Sequence, residues 1–169
     1  MDLGTAANVA SALAVTAGLV FAADQFRQFR RAQEREASLE LLRSFQTIEF
    51  AEALLIVFEM PDGLSKAEVE THVGDRMPVL YALLTTWESL GILVFRGQVR
   101  LALVDDFFSG PILISWQKLR RFVDTQRAEL GRDTIEEWFQ WLAERMKDRE
   151  SDTPPVPAHI AHRAWRPRT

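Results

Sequence analysis

The sequence predicts an all-α protein in three parts: a transmembrane anchor and basic flank over residues 1–35, a compact multi-helix domain over 36–150, and a disordered Pro- and Arg-containing tail over 151–169. Three observations carry this expectation. Residues 3–23 contain no charged side chain, residues 36–150 repeat apolar side chains at helical spacing without sustained strand alternation, and Pro154, Pro155 and Pro157 interrupt that pattern after Glu150.

With 169 residues, 47% hydrophobic and 26% charged, the chain is neither collagen-like, wholly disordered nor a polytopic membrane protein. It contains no cysteine, which excludes disulfides, thiolate metal sites and a Cys nucleophile and suits a reducing compartment. The formal net charge of −4 conceals an uneven distribution. Residues 36–150 carry 13 basic and 20 acidic side chains, a net of −7, whereas 24–35 and 151–169 are each +2. An acidic folded region argues against nucleic acid as a partner.

The uncharged stretch 3–23 holds 21 residues, and a helix of that length extends ~30 Å, enough to cross the hydrocarbon core. A cleavable signal peptide is the rival reading, because Val20-Phe21-Ala22 resembles a cleavage site. Only Asp2 and the amino terminus precede the apolar stretch, however, so the basic n-region is missing. Arg27, Arg30, Arg31 and Arg35 follow the span, and the positive-inside rule then places the N-terminus outside and the C-terminal domain in the cytoplasm. The expected location is the inner or plasma membrane, single-pass, with the lipid bilayer as a partner. Ala6, Ala10, Ala14, Gly18 and Ala22 recur every fourth residue, a small-residue stripe that suits homo-oligomer formation through close helix approach. Alanine-rich composition by itself is the competing explanation.

The anchor helix is expected to continue through Leu39, Leu41 and Leu42 to Ser44. A second helix should run from Ile48 to Glu59, opened by Thr47 with Glu49 in its first turn and ended by Met60-Pro61-Asp62-Gly63. Ser65-Lys66-Ala67-Glu68 is a capping-box sequence that opens a short helix closed by Gly74. Pro78 then fits a first helical turn, and Leu80, Leu83, Leu84, Trp87, Leu90 and Val94 form the apolar face of what should be the central helix. After Gly97, the run Val99 to Phe108 predicts a short, heavily buried helix, with Ser109-Gly110-Pro111 restarting the chain. The next helix should carry Ile112, Leu113, Trp116, Leu119 and Val123 toward Gly131. Asp133-Thr134-Ile135-Glu136 reads as a second capping box introducing Trp138, Trp141, Leu142 and Met146. Trp87 and Trp116 are expected inside the core, since aromatic area in such helices is most simply buried.

Four segments together carry a resemblance: Trp87-Glu88-Ser89-Leu90-Gly91-Ile92-Leu93-Val94, Arg96-Gly97-Gln98-Val99, the helix from Trp116 to Arg127, and Trp138-Phe139-Gln140-Trp141-Leu142-Ala143-Glu144. Spanning most of residues 47–147, they resemble a bacterial family whose shared domain has no assigned function, small proteins with one N-terminal membrane helix and a helical cytoplasmic region. The resemblance implies an architecture and a membrane location, and it brings no catalytic residues.

Reactive constellations are scarce. His72 is the only histidine in 36–150 and has no neighbouring nucleophile in the sequence. Asp105-Asp106 and Glu136-Glu137 are adjacent acids that diverge by ~100° on a helix, so they read as solvated faces or helix-start charges. His159 and His162 offer metal-chelating spacing only if the tail becomes helical. Phe95 to Arg100 could mimic a small nucleic-acid-binding wing, with Arg96, Arg100, Lys118, Arg120 and Arg121 as its only basic support. No phosphate loop or hydrolase motif is present. The expectation is therefore a non-enzymatic, membrane-tethered interaction module with an unidentified protein partner, without cofactor, metal or nucleic acid. Alternatives are a small-molecule-binding or enzymatic helical domain and a nucleic-acid-binding one. The tail adds Arg163, Trp165, Arg166 and Arg168, a basic aromatic group suited to a membrane surface.

Overall fold

A computed structural model describes residues 15, 16, 18–29, 43, 45, 47–152 and 154–167. The chain divides into two units, residues 1–44 and 45–169. In the first, residues 18–29 are helical with exposed side chains. The second contains six helices among the described residues: α1 (Ile48–Glu59), α2 (Lys66–Val73), α3 (Met77–Phe95), α4 (Leu101–Leu130), α5 (Glu137–Asp152) and α6 (Ala158–Ala161), with a 3₁₀ turn at Gly74–Arg76. No strand occurs among these residues, so the all-α expectation holds.

The first helix ends follow local sequence. Thr47 Oγ1 accepts a hydrogen bond from Phe50 N–H at 3.1 Å, satisfying a first-turn donor of α1. At α2, the Glu68 carboxylate accepts from both Ser65 N–H at 2.7 Å and Ser65 Oγ at 2.6 Å. These bonds hold the Glu68 carboxyl below its ordinary pKa. Pro78 sits in the first turn of α3, where its missing N–H costs nothing.

Helix α3 is central, packing against α1, α2 and α5 and reaching α4 through the Tyr81–Phe122 and Trp87–Phe108 ring contacts and the Gln126–Tyr81 hydrogen bond. Leu80, Leu83, Leu84, Trp87, Leu90 and Val94 are buried along it, meeting Ala53, Ile56 and Val57 of α1, Leu119, Phe122 and Val123 of α4, and Phe139, Leu142 and Met146 of α5 in one core. The stretch 66–95 is long and apolar enough to cross a membrane by length and composition, but its burial also fits the core helix of a globular bundle. The expected N-terminal span 3–23 falls largely outside the described residues.

Four expectations need correction. The break at Ser109-Gly110-Pro111 does not occur, because α4 runs unbroken through Pro111. Proline removes one helical hydrogen bond, yet Val104, Phe108, Ile112, Ser115 and Leu119 keep one buried stripe on both sides of it, and that shared burial outweighs the local loss. In this region Phe107 is also 45% exposed instead of heavily buried. The second capping box is absent as well: α5 begins at Glu137, after Glu136 has taken a left-handed φ of 52°. In the tail, Pro154–Pro157 is non-helical as expected, but Ala158–Ala161 forms one helical turn where disorder was predicted.

Candidate functional site

Side chains from α4 hold the α1–α2 connection. Lys118 Nζ donates to the Met60 carbonyl and pairs with Asp62 at 3.1 Å, Gln117 Nε2 donates to Asp62 at 2.5 Å, and Arg121 donates to the Gly63 carbonyl at 2.7 Å. The Gln117 and Lys118 bonds hold the Asp62 carboxyl below its ordinary range. Lys118 and Arg121, two of the five basic residues weighed for nucleic acid, are thus committed to the fold.

This loop forms one edge of a groove of about 700 Å³ between α4 and α5. Leu113, Trp116 and Ala143 supply apolar surface, while Arg120 and Lys147 contribute positive charge and Asp62, Glu144 and Glu150 negative charge. Trp116 is half-buried, with its ring 5.1 Å from Phe139, so it is not wholly enclosed as expected. An apolar base with charges of both signs suits a protein segment that buries a side chain and pairs its own charges at the rim.

A second arrangement joins α3, α4 and α5. Glu88 on α3 accepts the Phe139 N–H at 2.8 Å and therefore caps α5 from another helix. Arg127 on α4 donates to the Ile135 carbonyl at 2.8 Å, to Gln140 Oε1 at 2.7 Å and to the Glu136 carbonyl at 3.4 Å. Glu136 lies between them, half-buried, with its Oε2 atom enclosed and without a hydrogen-bond partner. Burial, reinforced by the Glu88 charge and opposed by Arg127, pushes its carboxyl up to about 7. Glu88 is also raised by burial, against the pull of the Phe139 and Trp138 N–H groups. Reading Glu136-Glu137 as solvated charges is therefore wrong for Glu136, although Glu137 is exposed. The local sequence contains no sign of this, because the burial and both charged partners come from α3 and α4.

Beside this junction Phe95, Trp138 and Trp141 are in mutual contact, with ring centroids 4.7, 5.9 and 6.1 Å apart. Phe95 is 61% exposed and both tryptophans are half-buried.

The residues singled out from sequence are scattered in their placement. Gly18 and Ala22 lie on the exposed 18–29 helix, and a Cβ on Gly18 would meet no atom within 4 Å. Ala6, Ala10 and Ala14 lie outside the described residues. Arg27 is exposed on the same helix, while Arg30, Arg31 and Arg35 fall outside the description. In the tail, Arg163, Trp165 and Arg166 are exposed and Arg168 is not described. His72 is exposed at the end of α2, and Asp105 accepts from Arg149 Nε at 2.9 Å. Among the described residues no three His, Asp or Glu side chains converge as a metal site.

Residues 12–146 match the family model described as a domain of unknown function (DUF4760). No curated protein and no solved structure matches the chain.

Proposed function

The chain belongs to the DUF4760 family, and on that premise we propose that it is a membrane-tethered helical interaction module that recruits or senses a protein partner at the cytoplasmic face of a membrane. The groove between α4 and α5 carries this reading. Its Trp116 and Leu113 surface can bury an apolar side chain, while Arg120, Lys147, Glu144 and Glu150 select the charges beside it. The tether is supported by the uncharged stretch 3–23 and the arginines that follow it.

Crosslinking and affinity purification of the full-length protein from native membranes tests the reading. A reproducible protein partner should be captured by the wild type and lost from R120E/K147E, with R76E as a surface-charge control. Equal capture by the groove variant, or a co-purifying small molecule in place of a protein, would overturn it. Reporter fusions at Thr169 test the topology separately. A cytoplasmic fluorescent reporter should be bright and an export-dependent phosphatase inactive; the opposite pattern would reject the orientation.

A further inference from the structure

We propose that the surface formed by Phe95, Trp138 and Trp141, together with Arg96 and Arg100, docks onto an anionic lipid bilayer. This rests on the membrane-tethered reading above but involves a different face from the α4–α5 groove. The five residues come from the end of α3, the turn after it and the first two turns of α5.

The three rings contact one another at centroid separations of 4.7–6.1 Å and so offer one contiguous apolar aromatic cluster. Aromatic rings of this kind favour the boundary between headgroups and acyl chains. The adjoining turn supplies charge of the complementary sign. From Ser89 to Val104 the only charged side chains are Arg96 and Arg100, although residues 36–150 as a whole carry a net −7. Both arginines are exposed, and among the described residues neither forms an ion pair. Of the acids beside Trp138, Glu88 is occupied with the Phe139 N–H and Glu136 is half-buried at the junction, leaving Glu137 exposed. A diffuse negative surface satisfies two separated, unpaired guanidinium groups while accepting the rings. An acidic domain needs such a local exception to approach anionic lipid without repulsion. Tethering would raise the local lipid concentration and make a weak surface affinity sufficient.

The test uses the full chain in a W165F background, which removes the exposed tail tryptophan. It is reconstituted in phosphatidylcholine vesicles with or without phosphatidylserine, with acyl chains brominated to quench nearby indoles. Quenching should be stronger in the anionic vesicles at low salt and should fall as salt rises. R96Q/R100Q should weaken the docking equilibrium by about tenfold or more, given the contribution of each arginine near an anionic leaflet. W138F/W141F should remove most of the anionic-lipid-dependent signal. Because Arg96 and Arg100 are exposed, circular dichroism should report an unchanged fold for R96Q/R100Q.

Equal quenching in neutral and anionic vesicles, or full quenching retained by R96Q/R100Q, would overturn the proposal. So would burial of Trp138 and Trp141 by an acidic protein in the absence of anionic lipid. Alkaline carbonate extraction reports on tethering independently. A chain released by carbonate that still shows Arg-dependent quenching refutes the tether and keeps the docking surface, whereas a carbonate-resistant chain without that quenching does the reverse.

Discussion

The Glu88 carboxylate caps α5 by accepting the Phe139 N–H at 2.8 Å across a separation of 51 residues. One turn further along α3, Gly91 lies so close to the Trp138 carbonyl that a Cβ would collide with it. The cap therefore depends on an approach that only glycine permits. Gly91→Ala should destabilise the domain by about 1–3 kcal/mol through overpacking, because the obstructing atoms belong to backbone. The check is a thermal melt combined with amide exchange, in which the first turn of α5 should lose protection. Unchanged exchange there would show that α3 and α5 can separate without loss of the cap.

Glu136 gives the domain a stability term with an unusual direction. Its carboxyl is raised from the ordinary 4.5 to about 7 by burial and by Glu88, with Arg127 opposing. The folded chain therefore holds this proton more tightly than the unfolded chain. The resulting contribution is fully present below pH 4.5 and is lost as pH rises through 7. After solvent screening it amounts to about 1–2 kcal/mol. Glu136→Gln should remain neutral throughout, so its stability relative to wild type should increase between pH 5 and 8. Parallel denaturation curves for the two proteins across that window would reject the assignment. A Glu136→Gly comparison reports the left-handed backbone as well, since glycine adopts that conformation without strain.

Trp87 and Trp116 should differ in their energetic weight. Trp87 is fully buried and packs near Phe50, Phe108 and Phe139, whereas Trp116 borders the groove. Trp87→Ala should cost about 3–5 kcal/mol, and Trp116→Ala clearly less. Because Trp87 Nε1 makes no hydrogen bond in its buried position, Trp87→Phe should retain much of the stability. Chemical denaturation of the full chain supplies the ranking, and a Trp116→Ala loss equal to that of Trp87→Ala would contradict it.

The anchor prediction concerns the stripe of Ala10, Ala14 and Gly18. Replacing all three with Leu should reduce self-association in the bilayer, because larger side chains hold helix backbones apart. Energy transfer between labelled full-length chains in vesicles measures this directly. An undiminished signal, repeated with the isolated anchor peptide to exclude association through the rest of the protein, would remove the stripe as its cause.

Local chemistry determined much of the helical order without help from tertiary structure. Thr47 opens α1, Ser65 and Glu68 build a capping box, Pro78 enters a first turn, and the Leu80-to-Val94 spacing describes the buried face of α3. Each signal lies within a few residues of the element that it controls, so sequence spacing is enough to read it. Tertiary structure decided whether Pro111 would break α4 and where α5 would begin. At Pro111, burial along a continuous face overcame a local helix-breaking preference. At α5, Glu88 replaced the apparent Asp133–Glu136 cap, while Arg127 held the carbonyls of Ile135 and Glu136. The groove likewise required Asp62, Trp116 and Lys147 to meet from three separate segments. Such assignments depend on the free energy of burial and on partners distant in the chain, which no local periodicity encodes.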